Sequence, residues 1–208
     1  PLSIASAPDA PSSIPCPGAP EFTVGAYQGF QERAEHEKRL QALQNGLVWH
    51  YASSRDDTLK ELNQTKPHVV YFYCHGGVAN NVPFILVGKE GERGITRDNL
   101  DAFDIFWEEP RPLVFINGCH TTALEPEQAI NLVSGFVESA YAAGVIGTEI
   151  TIFEPIAVAF AEEFFARFVT QRQPVGEAIR GARLKMLEAA NPLGLVYIPY
   201  VMPGLKLG

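Results

Sequence analysis

The sequence predicts an α/β domain in which a mostly parallel sheet lies between two layers of helices. Two apolar runs, residues 68–74 and 112–117, are rich in Val, Ile, Phe and Tyr, which is typical of strands buried on both faces of a sheet. Segments with apolar residues at helical spacing separate such runs along the chain, and this alternation favours parallel pairing. The 208 residues suffice for one domain with a substantial core.

Short apolar runs predict the strands, because β-branched and aromatic residues fit a pleated, buried surface. Pro199 lacks an amide hydrogen, so we expect the last strand to lie at an edge or a bulge of the sheet. Residues 76–83, which include glycines and asparagines, are predicted to form a loop. In chain order the predicted strands are 47–51, 68–74, 84–87, 112–117, 145–148 and 195–198.

Capping residues and helical spacing predict the helices. Ser54 is a suitable cap for a helix over residues 55–64. Pro155 and Pro174 suit the first turns of two later helices. Further helices are predicted over 28–45, from 96 toward 102, and over 126–142.

The first 25 residues are predicted to be a proline-rich linker or arm that precedes a folded domain over residues 26–208. Cys16 lies in this stretch and is expected to be an exposed bystander. The chain begins with Pro1 rather than Met, so we expect it to be a fragment or a processed piece of a longer protein.

Composition narrows the classes of partner. A net charge of −8 and a pI near 5.1 disfavour nucleic acid and anionic membrane surfaces as partners. There is no run of about 18 apolar residues that would predict a membrane-spanning helix. Three cysteines give no disulfide framework, which predicts a reducing, cytoplasmic setting.

The two most apolar runs end next to residues that can perform catalysis, His75 and Cys119. Carboxyl ends of parallel strands meet at one edge of a sheet, where open α/β sheets place their sites. An imidazole beside a thiol favours the thiolate and can protonate a leaving amine. Gly76 and Cys119 can offer backbone amides to an oxyanion, and Gly118 allows a sharp turn after the strand. The sequence therefore predicts a cysteine endopeptidase.

Neighbouring polar residues are interpreted structurally. Cys74 precedes His75 on the strand, so its side chain should point into the core. A zinc site formed by these two residues with Cys119 and His120 is disfavoured, because adjacent strand residues rarely bind one ion and Cys-x-x-Cys spacing is absent. No metal or other cofactor is expected. Asn117 is interpreted as fixing the loop through a backbone hydrogen bond. His36 is expected on the exposed face of a helix.

Five motifs together resemble the CHAT-domain proteases, which are bacterial caspase- and separase-like cysteine peptidases of clan CD. The resemblance covers roughly residues 47–201. It implies a caspase-like three-layer fold, a dyad of His75 and Cys119, and an oxyanion hole formed by the amides of Gly76 and Cys119. It also implies a protein substrate, control by a fused or bound sensor or repeat module, and a role in bacterial defence. The motifs are Tyr-Cys-His-Gly-Gly at 73–77, Ile-Asn-Gly-Cys-His-Thr-Thr at 116–122, and the segments 144–149, 176–183 and 191–197.

The segment after the strand at 145–148 bears on substrate preference. Members of this family often carry a Trp and then an Asp here, and the Asp helps to select the side chain before the scissile bond. Glu154 falls where that Asp would be, and Glu149 is a second candidate. A carboxylate there would select Arg or Lys, so cleavage after a basic residue, chiefly Arg, is expected. Either glutamate could instead stabilise the start of the following helix.

Two other functions fit the same residues. The chain could be a catalytically silent interaction module with the same fold, although the presence of both His75 and Cys119 favours an active enzyme. It could also be a thiol amidase or acyl transferase that acts on small molecules. An extended cleft would favour a peptide substrate, and an enclosed pocket would favour a small molecule.

Overall fold

A computed structural model describes residues 10–44, 46–118, 132–148 and 150–208. Within them, six strands form one sheet in the order β3–β2–β4–β7–β8–β9, and two pairs, β1–β10 and β5–β6, lie outside it. The strands are β1 (Ser13–Ile14), β2 (Glu21–Ala26), β3 (Val48–Ala52), β4 (Val69–Tyr73), β5 (His75–Ala79), β6 (Val82–Leu86), β7 (Leu113–Asn117), β8 (Gly144–Thr148), β9 (Tyr197–Val201) and β10 (Lys206–Leu207).

The main sheet is parallel except at one edge. Strands β3, β2, β4, β7 and β8 run in the same direction, and β9 pairs antiparallel with β8. Tyr73 on β4 lies opposite Asn117 on β7, so the carboxyl ends of these two strands are adjacent, as predicted. Because β9 contains Pro199 and lies at the edge, the predicted edge strand is confirmed.

Five α-helices are described, and none of them is both long enough and apolar enough to cross a membrane. The predicted helix over 55–64 is confirmed, and the Ser54 hydroxyl accepts a hydrogen bond from the Asp57 amide at 3.1 Å. The helices are α1 (Arg33–Gln41), α2 (Arg55–Gln64), α3 (Arg97–Ala102), α4 (Glu154–Phe165) and α5 (Val175–Glu188), with π-helical turns at Gly135–Ser139 and Ala166–Thr170 and a 3₁₀ turn at Pro192–Val196.

The core has two halves, one on each face of the sheet. Strand β4 contributes to both, because its side chains alternate: Tyr71 and Tyr73 pack with the aromatic residues of α4, whereas Phe72 and Cys74 pack with α2 and α3. All five β4 residues are buried, which explains the unbroken apolar run. The predicted fold class, a mainly parallel sheet flanked by helices, is confirmed.

The prediction of a linker over the first 25 residues is wrong from Glu21 onward, because residues Glu21–Ala26 form strand β2. This strand lies inside the sheet between β3 and β4, and five of its six residues are buried. Cys16 is also buried, with 4% of its surface exposed, and is not an exposed bystander. The backbone of Gly25 lies against Thr58 on α2, whose Cγ2 would be 2.8 Å from an added Cβ. Residues 1–9 lie outside the described part.

Three further predictions need correction. The loop expected at 76–83 is an antiparallel hairpin of β5 and β6, whose turn contains Asn80 and Asn81 at φ values of 51° and 66°. The helix expected over 28–45 spans only Arg33–Gln41. The strand expected at 195–198 begins at Tyr197, after the 3₁₀ turn. The helix predicted over 126–142 is described from residue 132 onward, where helical residues lead into the π-helical turn Gly135–Ser139 and the helix ends; residues 126–131 lie outside the described part.

Candidate active site

The end of β4 places His75 directly beyond its pairing with β7. The amide of Cys74 donates to the carbonyl of Asn117 at 3.2 Å, so the two strands stay paired to the last residue before His75. The side chain of Cys74 is 1% exposed and belongs to the core half opposite Tyr73. The predicted structural position of Cys74 is therefore confirmed.

Two aromatic rings lie against the half-buried imidazole of His75. The ring centroid of Tyr27 is 4.6 Å from that of His75, and the centroid of Phe30 is 4.7 Å away; both rings meet the imidazole edge to face. Burial lowers the pKa of His75, and the carboxylate of Glu154 acts in the opposite direction. The neutral imidazole is therefore favoured by its surroundings, and Glu154 partly restores its basicity.

Glu154 is the first residue of α4, and its carboxylate binds the segment that precedes α1. Its oxygens accept hydrogen bonds from the backbone amides of Gln31 at 3.2 Å and Glu32 at 2.7 Å. The hydroxyl of Tyr73 donates to the same carboxylate at 3.0 Å. These contacts lie at the start of α1, whereas the helix that Glu154 was predicted to stabilise is α4, of which it is the first residue.

The end of β7 is held by hydrogen bonds to the buried side chain of Asn117. Its amide nitrogen donates to the Ala157 carbonyl at 2.9 Å and to the Tyr71 hydroxyl at 2.8 Å, and its oxygen accepts from the Tyr197 hydroxyl at 2.7 Å. A carbonyl can only accept, so Ala157 fixes which way round the amide lies. Asn117 does bind backbone, as predicted, but on helix α4.

His36 extends this chain of hydrogen bonds. Its Nε2 lies 2.8 Å from the Tyr71 hydroxyl and its Nδ1 lies 2.8 Å from a Glu162 oxygen. The carboxylate of Glu162 can only accept, so Nδ1–H donates to it, and in the neutral imidazole Nε2 accepts from the Tyr71 hydroxyl. The expectation of an exposed His36 is wrong, because the residue is fully buried between α1, β4 and α4.

Gly118 follows Asn117 and packs tightly against the neighbouring strand end. An added Cβ would clash with the carbonyl oxygen of Cys74 and would lie 2.8 Å from its Sγ. The hydroxyl of Thr148 donates to the Gly118 carbonyl. Because the carbonyl of Cys74 is backbone, only a glycine fits this close approach.

Several predicted site residues lie outside the described part: Cys119, His120 and Glu149. Gly76 lies on β5 opposite Ile85 and is partly exposed, next to His75. Among the described residues, no group of three His, Cys, Asp or Glu side chains is arranged to hold a metal ion. The structure thus describes His75, the predicted base of the dyad, and strand β7, which ends two residues before Cys119 in the chain.

Sequence reasoning missed the aromatic pair around His75. Tyr27 and Phe30 lie in a segment that was assigned partly to a helix, and their partners are more than 40 residues away. The available sequence signal was their position a few residues after Phe22 and Val24, two apolar residues that alternate with Thr23 at strand spacing. The sequence analysis did not predict a strand there.

The CHAT domain profile matches residues 21–193. The chain belongs to the CHAT domain family. The match begins at the first residue of β2, so the family and the structure place the start of the sheet at the same residue.

This CHAT domain is 53% identical over 183 residues to a probable protease of Vitiosangium sp. (strain GDMCC 1.1324). The match covers 86% of the chain but only 24% of that protein, so the chain spans about a quarter of the relative's length.

Solved structures of cysteine peptidases share the fold. Separase, in the Saccharomyces cerevisiae separase–securin complex, superimposes with a TM-score of 0.63 at 14% identity, over 95% of this chain and 13% of that one. The Arg-specific cysteine proteinase gingipain R superimposes with a TM-score of 0.61 at 8% identity, over 89% of this chain and 46% of that one. The CHAT domain therefore has the fold of separase and gingipain.

Proposed function

We propose that this CHAT domain is a cysteine endopeptidase that uses Cys119 as nucleophile and His75 as its acid–base partner. The observation that carries the proposal is the pairing of β4 and β7 up to the Cys74 amide, which brings the chain to His75 on one strand end and to Gly118 on the next. Membership in a family with a probable protease supports a peptidase.

The proposed reaction proceeds in two steps. The Cys119 thiolate attacks the scissile carbonyl carbon, and the amides of Gly76 and Cys119 donate to the resulting oxyanion. His75 gives its proton to the leaving amine, which breaks the C–N bond and leaves a thioester. A water molecule then gives one proton to His75 and attacks the thioester, which releases the carboxylic acid and restores the Cys119 thiolate beside a protonated His75.

The first experiment replaces each member of the dyad. We expect Cys119→Ala and His75→Ala each to lower cleavage of a peptide library by at least ~10³-fold, because the nucleophile and its acid–base partner act as one unit. Iodoacetamide labelling of Cys119 at low probe concentration should also slow in His75→Ala. Cys16→Ala is the matched control, since this thiol is buried in the core, and it should keep full cleavage.

The same measurements separate the alternatives. A wild-type domain that cleaves no peptide but binds a protein partner would be the silent interaction module. Turnover of small amides or thioesters without peptide cleavage would indicate an amidase or acyl transferase.

We further propose a preference for a basic residue, chiefly Arg, before the scissile bond. A carboxylate at the end of β8 would form paired hydrogen bonds with a guanidinium. The candidates remain Glu154 and Glu149. The three donors that already occupy Glu154 make Glu149 the stronger of the two. Gingipain R is Arg specific and has the same fold, so this sheet is compatible with such selectivity. A fluorogenic peptide panel tests the preference, and a ranking led by Asp would contradict it.

Regulation and location are part of the proposal. Since the match spans 24% of the relative, the rest of such a protein has room for a sensor or repeat module that controls the peptidase. Cys16 and Cys74 are buried in the core, and the low cysteine count of the chain suits a reducing, cytoplasmic setting. Cleavage by the isolated domain, compared with a longer chain that includes flanking segments, tests this control.

A further inference from the structure

We propose that Glu154 is a positioning residue for His75. It acts by fixing the positions of the aromatic rings of Tyr27 and Phe30, which pack on the imidazole. This inference rests on the proposed function, in which His75 is the acid–base group. It assigns to Glu154 a role other than selection of the substrate side chain.

The first step of the argument is the link from the carboxylate to Phe30. Glu154 accepts the amides of Gln31 and Glu32, which directly follow Phe30 in the chain. The ring of Phe30 lies 4.7 Å from the imidazole of His75, at an interplanar angle of 60°. The two hydrogen bonds therefore fix the backbone from which the Phe30 ring projects toward the imidazole.

The second step is the contact that Tyr73, on strand β4 of the sheet, makes with both Glu154 and Phe30. The Tyr73 hydroxyl donates to Oε1 of Glu154, and the Tyr73 ring lies 4.5 Å from the ring of Phe30. Phe30 also contacts Tyr27, whose own ring packs on His75. The carboxylate thus joins α4, β4 and the segment before α1 around one imidazole.

The third step concerns charge. Of the titratable groups in the described elements around His75, Tyr27 packs on the imidazole, Glu154 acts on its charge, and Tyr73 contacts both Phe30 and Glu154. Burial raises the pKa of the Tyr73 hydroxyl, which keeps that group neutral. Glu154 is the charged group that acts on His75, and its charge opposes the effect of burial on the His75 pKa.

The carboxylate has little capacity left for a substrate. Oε1 accepts from the Glu32 amide and the Tyr73 hydroxyl, and Oε2 accepts from the Gln31 amide. A guanidinium bound in a fork geometry needs both oxygens at once, so it would have to displace one of the two donors that occupy Oε1. The contacts therefore favour positioning over substrate selection.

The test compares Glu154→Gln with a matched control, Glu92→Gln. Glu92 also accepts two backbone amides, those of Lys89 and of Arg55 at the start of α2, each at 2.9 Å. Both substitutions remove a charge and one acceptor from a carboxylate that holds backbone near a helix start. The readouts are the His75 pKa by NMR titration, kcat and KM on the peptide panel, and the thermal midpoint.

We expect Glu154→Gln to lower the pKa of His75, to move the limb of the pH–kcat profile that belongs to His75 to lower pH, and to lower kcat by about tenfold. KM and the ranking of basic and other side chains should stay unchanged. Glu92→Gln should leave all of these quantities at their wild-type values. A Glu154→Gln variant that loses its preference for Arg while keeping the wild-type His75 pKa and kcat would overturn the proposal.

A second variant covers the case in which Glu154→Gln does not fold. Tyr73→Phe keeps the charge and removes one donor, and we expect kcat to fall about threefold with an unchanged ranking of substrates. A wild-type kcat in Tyr73→Phe would contradict the proposed orientation of His75. If the wild-type domain cleaves nothing, the proposed function fails, whereas the NMR titration still decides whether Glu154 controls His75.

Discussion

The ends of β4 and β7 lie side by side, but the protein holds them by different interactions. At the end of β4, the imidazole of His75 packs against the rings of Tyr27 and Phe30, which also contact each other. At β7, the Asn117 side chain is held by three directional hydrogen bonds in a buried site. Ring packing tolerates small rotations, whereas a buried amide with every partner in place tolerates almost none. In the proposed reaction, this difference suits a base that reorients beside a strand end that stays in place.

The largest expected effect is the loss of the Asn117 amide. Asn117→Leu keeps the approximate volume but leaves the hydroxyls of Tyr71 and Tyr197 and the carbonyl of Ala157 without this partner. Unpaired buried groups cost about 1–3 kcal/mol each, so we expect the free energy of unfolding to fall by roughly 3–5 kcal/mol. Urea denaturation followed by circular dichroism measures this change.

Thr58→Val is the control for that experiment. Thr58 is equally buried, but its hydroxyl donates one hydrogen bond, to the Ser54 carbonyl at 2.7 Å. We expect this variant to lose only about 1 kcal/mol. Equal losses in the two variants would show that the three hydrogen bonds of Asn117 contribute no more to the free energy of unfolding than the single hydrogen bond of Thr58.

A smaller effect is expected for the thiol that packs beneath the strand ends. Cys74→Ser places a hydroxyl in an apolar layer and should destabilise the protein by about 1–3 kcal/mol while the folded fraction still cleaves peptide. Cys119→Ala should do the reverse, with cleavage lost and a nearly unchanged thermal midpoint. A stable but inactive Cys74→Ser variant would mean that the two thiols have been assigned the wrong roles.

The smallest effect is the pH dependence that His75 adds to stability. Burial lowers its pKa in the folded protein, so the unfolded chain binds the proton more readily. The stability from this group is complete above the unfolded pKa of about 6.5 and is lost as the pH falls through the folded pKa. Urea denaturation at pH 7.5 and pH 5 should therefore show a smaller loss of stability in His75→Gln than in wild type. A larger loss in the variant would show that the pKa of His75 is raised instead.

How well the sequence predicted each region depends on how local its determinants are. Strands β4 and β7 were predictable because they are buried on both faces and are apolar throughout. Strand β2 was missed because Thr23, Gly25 and Ala26 weaken its apolar pattern. It is stabilised by pairing with β3 and β4 on either side, which no local pattern reveals.

The polar residues of the site illustrate the same limit. His36 lies in a strongly charged stretch that is typical of a solvent-facing helix, yet its partners Tyr71 and Glu162 lie 35 and 126 residues away. The contacts of Glu154 with the segment before α1 likewise span more than 120 residues. Local spacing therefore indicated the candidate catalytic side chains, while the residues that hold the strand ends in place emerged only from the three-dimensional arrangement.

The first turn of α4 touches both strand ends. Glu154 binds the backbone beside His75, and the carbonyl of Ala157, three residues later, receives the amide of Asn117. Those two points are separated by about 4.5 Å along a rigid helical turn. If this turn shifts as a unit, both strand ends are carried with it and their spacing is conserved. The first turn of α4 is therefore a common support for the two strand ends, because Glu154 accepts the hydroxyl of Tyr73 on β4 and Ala157 accepts the amide of Asn117 on β7.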